Sequence, residues 1–260
     1  MKDTLILSGG GLLGLSMLGA LEEIFQEYSQ QQFKYIAGSS VGALIGVLLC
    51  MCSPIHLCEI VQNINIFDEN NIDFTDYFEK FGFVKSDTIL NILSQYIPEA
   101  CTFKEFFEIT GVHIKIVGTN LTYCRKEYFD YLLTPSMRVS DAVCISINIP
   151  FVFHQITYNN SIYTDGCVSE SFPWNAFDIS DSRKLGIQLE SVQEFTPSDF
   201  FYYIQSLVNT LLKTSVDLSS PRVLKLCVNF PILQEYTPDD IIKLYKFGQN
   251  EARAWCKKIK

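Results

Sequence analysis

The first fifty residues alternate between short apolar runs and longer apolar or amphipathic stretches. Residues 4–8 form an apolar run that ends at Gly9, as a buried strand does. From residue 12 to 30 the apolar positions recur at the spacing of one helix face. A second apolar run at 34–37 precedes a wholly apolar stretch at 41–52. This order of strand, helix, strand and helix predicts a right-handed crossover within a parallel sheet.

The same patterns predict the elements of the remaining chain. Further helices are expected at 54–63, 87–97 (capped by Ser86), 102–110 (with a Thr102–Glu105 capping box), 140–147 (capped by Ser140), 198–218 and 239–260. Strands are expected at 113–120, 127–131, 185–189 and 223–228, with a hairpin over 156–164 that turns at Asn159-Asn160. Since no linker or repeat divides the chain, we expect one α/β domain over 1–260. It would have three layers (α/β/α), a mainly parallel central sheet and a helical insertion or cap at about 54–110.

Composition and charge restrict the classes of function. Hydrophobic residues make up 48% of the 260 residues and charged residues 19%, which indicates a globular protein with a large interior. The net charge of −9 repels phosphate backbones, so we expect no nucleic-acid partner. The run at 41–52 is shorter than the roughly 20 residues that cross a bilayer. We therefore expect a soluble, cytoplasmic or intracellular protein that could lie peripherally on membranes.

The nine cysteines are scattered and odd in number, which favours free thiols in a reducing compartment. Cys50, Cys52, His56 and Cys58 lie close enough in sequence to suggest metal ligands. No second cluster of suitable spacing completes a tetrahedral site. We therefore expect ordinary core cysteines and no metal.

A glycine-rich loop, Gly9-Gly10-Gly11-Leu12-Leu13-Gly14, follows the first strand and opens the first helix. Backbone N–H groups in such a loop can approach an anion closely. One use is a dinucleotide pyrophosphate, because the string also satisfies G-x-G-x-x-G. That use needs an acidic residue at the end of the second strand, where the sequence has Gly38-Ser39-Ser40 instead. The other use is an oxyanion hole, built from the same kind of donors.

A second motif, Gly38-Ser39-Ser40-Val41-Gly42, fits G-x-S-x-G at a predicted strand-to-helix junction. At such a junction a tight turn exposes the central hydroxyl, so Ser40 is the candidate nucleophile. A serine needs a base. One candidate is Asp165, which follows a strand-like run and precedes Gly166, a residue that permits a sharp turn. The alternative is His154 with Asp130 or Asp141 as its acid.

Taken in order, these motifs resemble the patatin-like phospholipase family. The residues that match are the oxyanion loop Gly9 to Gly14, the elbow Gly38 to Gly42 and the pair Asp165-Gly166, and the apolar segment 142–153 also looks similar. The resemblance implies a lipid acyl hydrolase of the phospholipase A or lysophospholipase type with a Ser40–Asp165 dyad. It implies oxyanion donors around Gly9, Gly10, Gly11 and Gly14, an acyl-serine intermediate, no cofactor and a lipid substrate that could lie at a membrane surface.

Three positions depart from the family pattern. Leu13 stands where a basic residue is usual, Cys167 where a second Gly or an Ala is common, and Ser171 where Asn is usual. Leu13 removes a charge beside the loop, which bears on either the oxyanion stabilisation or the anchoring of the loop. Two alternatives therefore accompany the hydrolase: a nucleotide-binding oxidoreductase that uses Gly9 to Gly14, and a catalytically weakened lipid-binding relative.

Overall fold

A computed structural model describes residues 2–61, 77–85, 87–192, 220–230 and 236–259, together with positions 203, 206, 207 and 210. Four of the positions in the predicted helix at 198–218 belong to this part of the chain, and the rest of that helix lies outside it. The predicted cap residue Ser86 and the centre of the predicted insertion lie outside it as well.

Eight strands form one sheet that is parallel at its centre. They are β1 (Thr4–Leu7), β2 (Tyr35–Gly38), β3 (His113–Asn120), β4 (Arg125–Phe129), β5 (Ile156–Tyr158), β6 (Ser161–Thr164), β7 (Lys184–Ser191) and β8 (Val223–Val228). The order across the sheet is β5-β6-β3-β2-β1-β7-β8, and β4 pairs with β3. The pairs among β3, β2, β1, β7 and β8 are parallel, while β4, β5 and β6 pair antiparallel. The predicted α/β fold with a mainly parallel sheet is confirmed.

Nine α-helices are described between or after these strands. They are α1 (Gly14–Glu27), α2 (Val41–Leu49), α3 (Pro54–Val61), α4 (Tyr77–Lys80), α5 (Asp87–Leu93), α6 (Phe103–Thr110), α7 (Val139–Ser146), α8 (Cys167–Glu170) and α9 (Pro238–Ile259). A short 3-10 helix, Gly11–Leu13, leads into α1. The helices α3 to α6 occupy the stretch between α2 and β3 that was predicted as an insertion.

Local chemistry explains most of the element ends. Thr102 and Glu105 form the predicted capping box, in which the side chain of each residue accepts a hydrogen bond from the backbone N–H of the other. Asn159 and Asn160 both adopt positive φ at the hairpin between β5 and β6, as the two central residues of a tight turn of this hand require. The prediction that Ser140 caps a helix was wrong. The helix α7 begins at Val139 behind Arg138, whose extended backbone bridges to Thr102, so tertiary pairing sets this end.

The two faces of the sheet carry different coverings. Leu5, Leu7 and Ile187 lie in the main core with the buried residues of the helices α1, α2, α7 and α9. Ile6 and Ala37 face the other way, into a smaller core with Phe172, Trp174 and Phe177. Two lysines hold this aromatic segment, since Lys115 Nζ donates to the Ala176 carbonyl at 3.0 Å and Lys184 Nζ to the Trp174 carbonyl at 3.0 Å.

Two sequence expectations concern cysteines and membrane helices. All nine cysteines have free thiols; of these, Cys124 and Cys227 are exposed. Within the described ranges, no helix is both long and apolar enough to cross a membrane.

Candidate active site

The candidate nucleophile lies on a strained turn between β2 and α2. Ser40 has φ 52° and ψ −127°, a backbone conformation that residues other than glycine rarely adopt. Gly42 lets this turn lie against the end of β1, because a Cβ at position 42 would overlap the carbonyl oxygens of Leu7 and Ser8. The Ser40 N–H also donates to Ser146 Oγ at 2.9 Å. Such strain persists only where the surroundings impose it.

Ser40 and Asp165 meet although 125 positions separate them in sequence. The Ser40 hydroxyl donates to Asp165 Oδ2 at 2.7 Å. The sheet creates this meeting, because Ile116 of β3 lies beside Gly38 of β2, and Thr164 pairs with Thr119 farther along β3. Asp165 therefore emerges from β6 next to the turn that carries Ser40.

The Asp165 carboxyl is wholly buried. Burial raises its pKa to about 6, and the hydrogen bonds from Ser40 and from the Cys167 backbone lower the pKa only in part. The Cys167 N–H donates to Asp165 Oδ1 at 2.7 Å, so both carboxylate oxygens accept hydrogen bonds. A carboxylate with a raised pKa and a serine hydroxyl as its partner is a stronger base than an ordinary aspartate.

Backbone contacts fix the position of Asp165. Its N–H donates to the Asn148 carbonyl at 2.9 Å, and its carbonyl accepts from Thr119 Oγ1 at 2.8 Å. The sharp turn expected at Gly166 is present, since the Val168 N–H donates to the Asp165 carbonyl at 3.2 Å. The φ of Gly166 is −60°, so the turn does not need the backbone freedom of glycine. Glycine is needed there for space, because a Cβ would overlap the Val117 carbonyl and approach Ser39 Oγ.

The glycine loop lies directly against the candidate nucleophile. A Cβ on Gly9 would overlap Cys167 Sγ and reach 3.0 Å from Ser40 Cβ. Gly10 and Gly11 have φ of 153° and 54°. Within the described part of the chain, the amides of Gly10, Gly11 and Val41 donate to no protein acceptor. The other two expected donors are engaged elsewhere, since the Gly9 N–H donates to the Ser171 carbonyl at 2.9 Å and the Gly14 N–H to the carbonyls of the 3-10 turn before it. Val41 opens α2, so its amide adds to the positive end of that helix.

Two further glycines of the predicted site bring helices and strands together. Gly14 begins α1 under Val41, which a Cβ would contact. Gly38 ends β2 so close to the Gly42 backbone that a Cβ would overlap it. The glycines of all three motifs thus surround one point, the turn at Ser40.

Leu13, the departure from the family pattern inside the loop, is wholly buried. Its N–H donates to the Gly10 carbonyl at 3.1 Å, and its carbonyl accepts from Ser16 Oγ at 2.7 Å. Apolar packing and these two hydrogen bonds anchor the loop without a charge.

The histidine alternative lacks its acids. Asp130 accepts from His113 Nε2 at 3.1 Å and pairs with Lys115 Nζ at 3.3 Å. Burial would raise the Asp130 pKa, but these contacts and the backbone N–H donors outweigh it and lower the pKa to about 2. Asp141 is held by Arg138. Both acids assigned to His154 therefore serve other partners.

Sequence reasoning gave no role to Ser146 or Asn148. Besides the contacts already described, the Ser146 carbonyl accepts from the Gly166 N–H at 3.0 Å, and the Asn148 carbonyl accepts from Thr164 Oγ1 at 2.9 Å. One signal was available: polar residues alternate with isoleucine from 145 to 149 although the segment is buried.

No three His, Cys, Asp or Glu side chains group closely enough to hold a metal ion within the described ranges. Cys50 and Cys58, suggested as ligands by their spacing, lie on or just after α2 and on α3. Burial raises the pKa of the Cys50 thiol to about 12, which disfavours the thiolate that binds metals.

Known proteins share this sequence pattern. The family model of the patatin-like phospholipases matches residues 5–178. An uncharacterized protein of Acanthamoeba polyphaga mimivirus is 30% identical over 230 residues, which cover 81% of this chain and 76% of that protein. A probable lipid hydrolase of Invertebrate iridescent virus 6 is 29% identical over 216 residues, with coverages of 80% and 71%. Triacylglycerol lipase 5 of Saccharomyces cerevisiae is 26% identical over 167 residues, which cover 58% of this chain and 22% of the yeast protein.

Solved structures share the fold at low sequence identity. VipD from Legionella pneumophila superposes with a TM-score of 0.70 at 12% identity, covering 99% of this chain and 67% of VipD. The type III effector protein ExoU superposes with a TM-score of 0.53 at 15% identity, covering 99% of this chain and 53% of ExoU. Because the family model matches residues 5–178 and a relative is 30% identical over 81% of the chain, the chain belongs to the patatin-like phospholipase family of lipid ester hydrolases.

Proposed function

We propose that Ser40 and Asp165 form a catalytic dyad that cleaves carboxylic ester bonds of lipids through an acyl-serine intermediate. The observation that carries the proposal is the 2.7 Å hydrogen bond from Ser40 Oγ to a buried carboxylate whose pKa is about 6. A nucleophile with a positioned base is the minimum that acyl transfer requires.

In the first half-reaction, Ser40 Oγ attacks the ester carbonyl carbon while its proton passes to Asp165 Oδ2. The tetrahedral intermediate collapses to acyl-Ser40, and the leaving alcohol takes the proton from Asp165. In the second half-reaction, Asp165 accepts a proton from water as the water attacks the acyl carbon, and that proton returns to Ser40 Oγ when the fatty acid leaves. Asp165 thus acts as base and acid in turn.

Negative charge develops on the carbonyl oxygen in both half-reactions. We assign its stabilisation to the amides of Gly10 and Gly11 and to that of Val41, none of which donates to an acceptor in the described part of the chain. One such donor is worth about 3 kcal/mol in the transition state. Gly9 and Gly14 bring the loop to this position, the first against Ser40 and the second under Val41.

The proposed substrates are phospholipids or lysophospholipids, with triacylglycerol as a further ester to be tested because yeast lipases are among the similar proteins. Hydrolysis of phosphatidylcholine, lysophosphatidylcholine, triacylglycerol and p-nitrophenyl butyrate should be compared at equal enzyme concentration. We expect release of fatty acid from at least one of the lipid substrates. Activity on the p-nitrophenyl ester alone would contradict a lipid substrate.

A fluorophosphonate probe tests the dyad directly. We expect covalent labelling at Ser40, abolished in Ser40→Ala and reduced at least a thousandfold in rate in Asp165→Asn. Ser39→Ala is the matched control, because it removes the neighbouring buried hydroxyl, whose contact is Cys167 Sγ at 3.5 Å rather than Asp165. Labelling that survives in folded Asp165→Asn at near the original rate would refute the dyad.

A further inference from the structure

Two exposed phenylalanines occupy backbone conformations that their side chains disfavour. Phe81 has φ 55° with 58% of its surface exposed, and Phe151 has φ 68° with 40% exposed. A bulky residue in the left-handed region is a conformational outlier. Exposure of an apolar ring to water is also unfavourable. Neither the backbone conformation nor complete burial accounts for phenylalanine at these two positions.

The turns that carry these rings lie side by side. We call them the phenylalanine turns and define them as residues 80–83 and 149–153. Four backbone hydrogen bonds join the two strands of chain: Phe83 and Val84 N–H to the Val152 carbonyl at 2.9 and 2.8 Å, His154 N–H to the Val84 carbonyl at 3.0 Å, and Gln155 N–H to the Lys80 carbonyl at 2.8 Å. Gly82 packs so closely on the Phe153 carbonyl that a Cβ would overlap it. The two rings therefore belong to one unit.

This unit adjoins the Ser40–Asp165 site. The Asn148 carbonyl accepts the Asp165 N–H, and the turn begins at the next residue. Since a chain extends by at most about 3.6 Å per residue, the Phe151 Cα lies within about 11 Å of the Asn148 Cα. The turn itself is fixed, because the Ile149 carbonyl accepts both the Val152 and Phe153 N–H groups at 3.2 and 3.1 Å.

We propose that the phenylalanine turns dock the protein on the surface of a lipid aggregate by inserting the two rings beside the active site. The proposal rests on the proposed function, because a lipid hydrolase must meet its substrate in aggregates. Both rings are exposed on one hydrogen-bonded unit, which suits their joint insertion between fluid lipids. The net charge of −9 gives no attraction to anionic lipid, so apolar insertion must supply the binding.

Binding is tested with the Ser40→Ala protein, which cannot degrade the vesicles. Sedimentation with phosphatidylcholine vesicles is measured at 0.1 M and 0.5 M NaCl. We expect binding that is equal at both salt concentrations and at least tenfold weaker when Phe81→Asn and Phe151→Asn are added. Asparagine accepts the left-handed conformation, so these substitutions remove the rings without unfolding the turns. Thermal melting should show stability equal to or above that of the parent.

The matched control is Leu132→Ala with Leu133→Ala. These side chains are 65% and 61% exposed. Both leucines follow β4, and their N–H groups donate to Asp130, which contacts His113 at the start of β3. The candidate active site lies near the other end of β3, so the control residues are away from it. We expect their loss to leave vesicle binding unchanged. An equal loss of binding in this control would overturn the assignment to the phenylalanine turns.

Activity separates docking from chemistry. In the protein with Ser40 intact, the two asparagine substitutions should leave hydrolysis of soluble p-nitrophenyl butyrate within twofold and lower hydrolysis of vesicle phosphatidylcholine at least tenfold. Absence of vesicle binding in Ser40→Ala, or binding that the asparagines leave unchanged, would overturn the docking proposal.

If binding depends on the rings but no ester is hydrolysed, docking stands and the proposed function fails. An equal fall on both esters would overturn docking and place the rings in the reaction site.

Discussion

At Ser40, neighbouring glycines and two distant parts of the chain determine the state of a single residue. The glycines at 38 and 42 permit the close packing, Ser146 Oγ accepts a hydrogen bond from the backbone N–H, and Asp165 accepts one from the side-chain hydroxyl. The positive φ costs on the order of 1–3 kcal/mol, which the rest of the fold must offset. Ser40 thus exchanges stability for a hydroxyl that is buried and directed at Asp165.

This strain predicts an inverted order of stability between two variants. Ser40→Gly and Ser40→Ala both lose the hydrogen bond to Asp165, but only glycine accepts φ 52° without strain. After subtracting the entropy that glycine adds to the unfolded chain, we expect Ser40→Gly to be more stable than Ser40→Ala by about 1 kcal/mol. Urea unfolding measures the difference. Greater stability of the alanine variant would mean that the turn is not strained.

The raised pKa of Asp165 predicts the pH dependence of the reaction. In the proposed dyad, Asp165 must be ionised to accept the Ser40 proton, and burial raises its pKa to about 6. We therefore expect kcat/KM for p-nitrophenyl butyrate to rise about tenfold per pH unit up to about pH 6 and to level off above it. A plateau that extends down to pH 4.5 would contradict a buried base.

The raised pKa of Asp165 also predicts that Asp165→Asn is more stable than the unchanged protein at pH 7. The folded pKa of about 6 lies above the value of 3.8 for an exposed Asp, so the folded state binds more protons between these pH values. Stability then falls as pH rises from about 4 to 6 and stays lowered at pH 7, by about 3 kcal/mol. Asp165→Asn removes this term, so we expect it to gain up to that amount at pH 7 and little at pH 4. Unfolding at both pH values checks the difference, and an equal gain at both would exclude the ionisation as its cause.

Among the elements, local patterns predicted existence and type better than bounds. The strands at 113–120 and 223–228 and the capping box at Thr102 follow the predictions, because alternation or a short cap signal sets them. The starts of α7 and β4 differ from the predictions. The bridge between Arg138 and Thr102 sets the start of α7, and pairing with β3 makes β4 begin earlier than predicted. We propose, as the sequence suggested, that one domain carries α3 to α6 as an insertion between α2 and β3.

The contact between α1 and α9 depends on two glycines. A Cβ on Gly19 would overlap the Tyr245 carbonyl, and a Cβ on Gly248 would overlap the Ser16 carbonyl. Both conflicts are with backbone, so a helix must move to relieve them. No periodicity in a single sequence reveals which two helices meet, which explains why the sequence did not predict this contact.

We expect Gly248→Ala to lower the free energy of unfolding by about 2 kcal/mol, although alanine favours a helix by up to about 1 kcal/mol over glycine. Asn250→Ala is the matched control, because Asn250 is exposed on the same helix and should show no loss. Chemical unfolding of both proteins gives the comparison. Unchanged or increased stability in Gly248→Ala would show that the helices separate without cost.

For the whole molecule, the site and its support extend beyond the segment that defines the family. The family model ends at residue 178, yet β1 lies between β2 and β7, and Ser8 Oγ accepts the Leu189 N–H at 2.8 Å. The three motifs could be predicted from sequence because glycine and serine spacing encodes them. The contacts of Ser146 and Asn148 could not, because only the sheet brings those residues to Ser40.

A chain cut after residue 178 is therefore expected not to fold. It would lose β7, β8 and α9, which leaves β1 at an open edge and exposes the helix face of α1 that meets α9. Circular dichroism and thermal melting of this fragment should show no cooperative transition. A cooperative transition would contradict the dependence of the core on the later strands, and the full chain serves as the reference.

The cysteine beside the active site has a practical consequence. Cys167 is buried against Gly9 and Ser39, and burial raises its pKa well above that of a free thiol. Maleimide or spin-label reagents should therefore modify Cys124 and Cys227 first and leave turnover intact. Spectroscopic reporters can thus be attached to the native sequence, at Cys227 on the edge strand β8 and at Cys124 in the β3–β4 turn, without engineering the candidate active site.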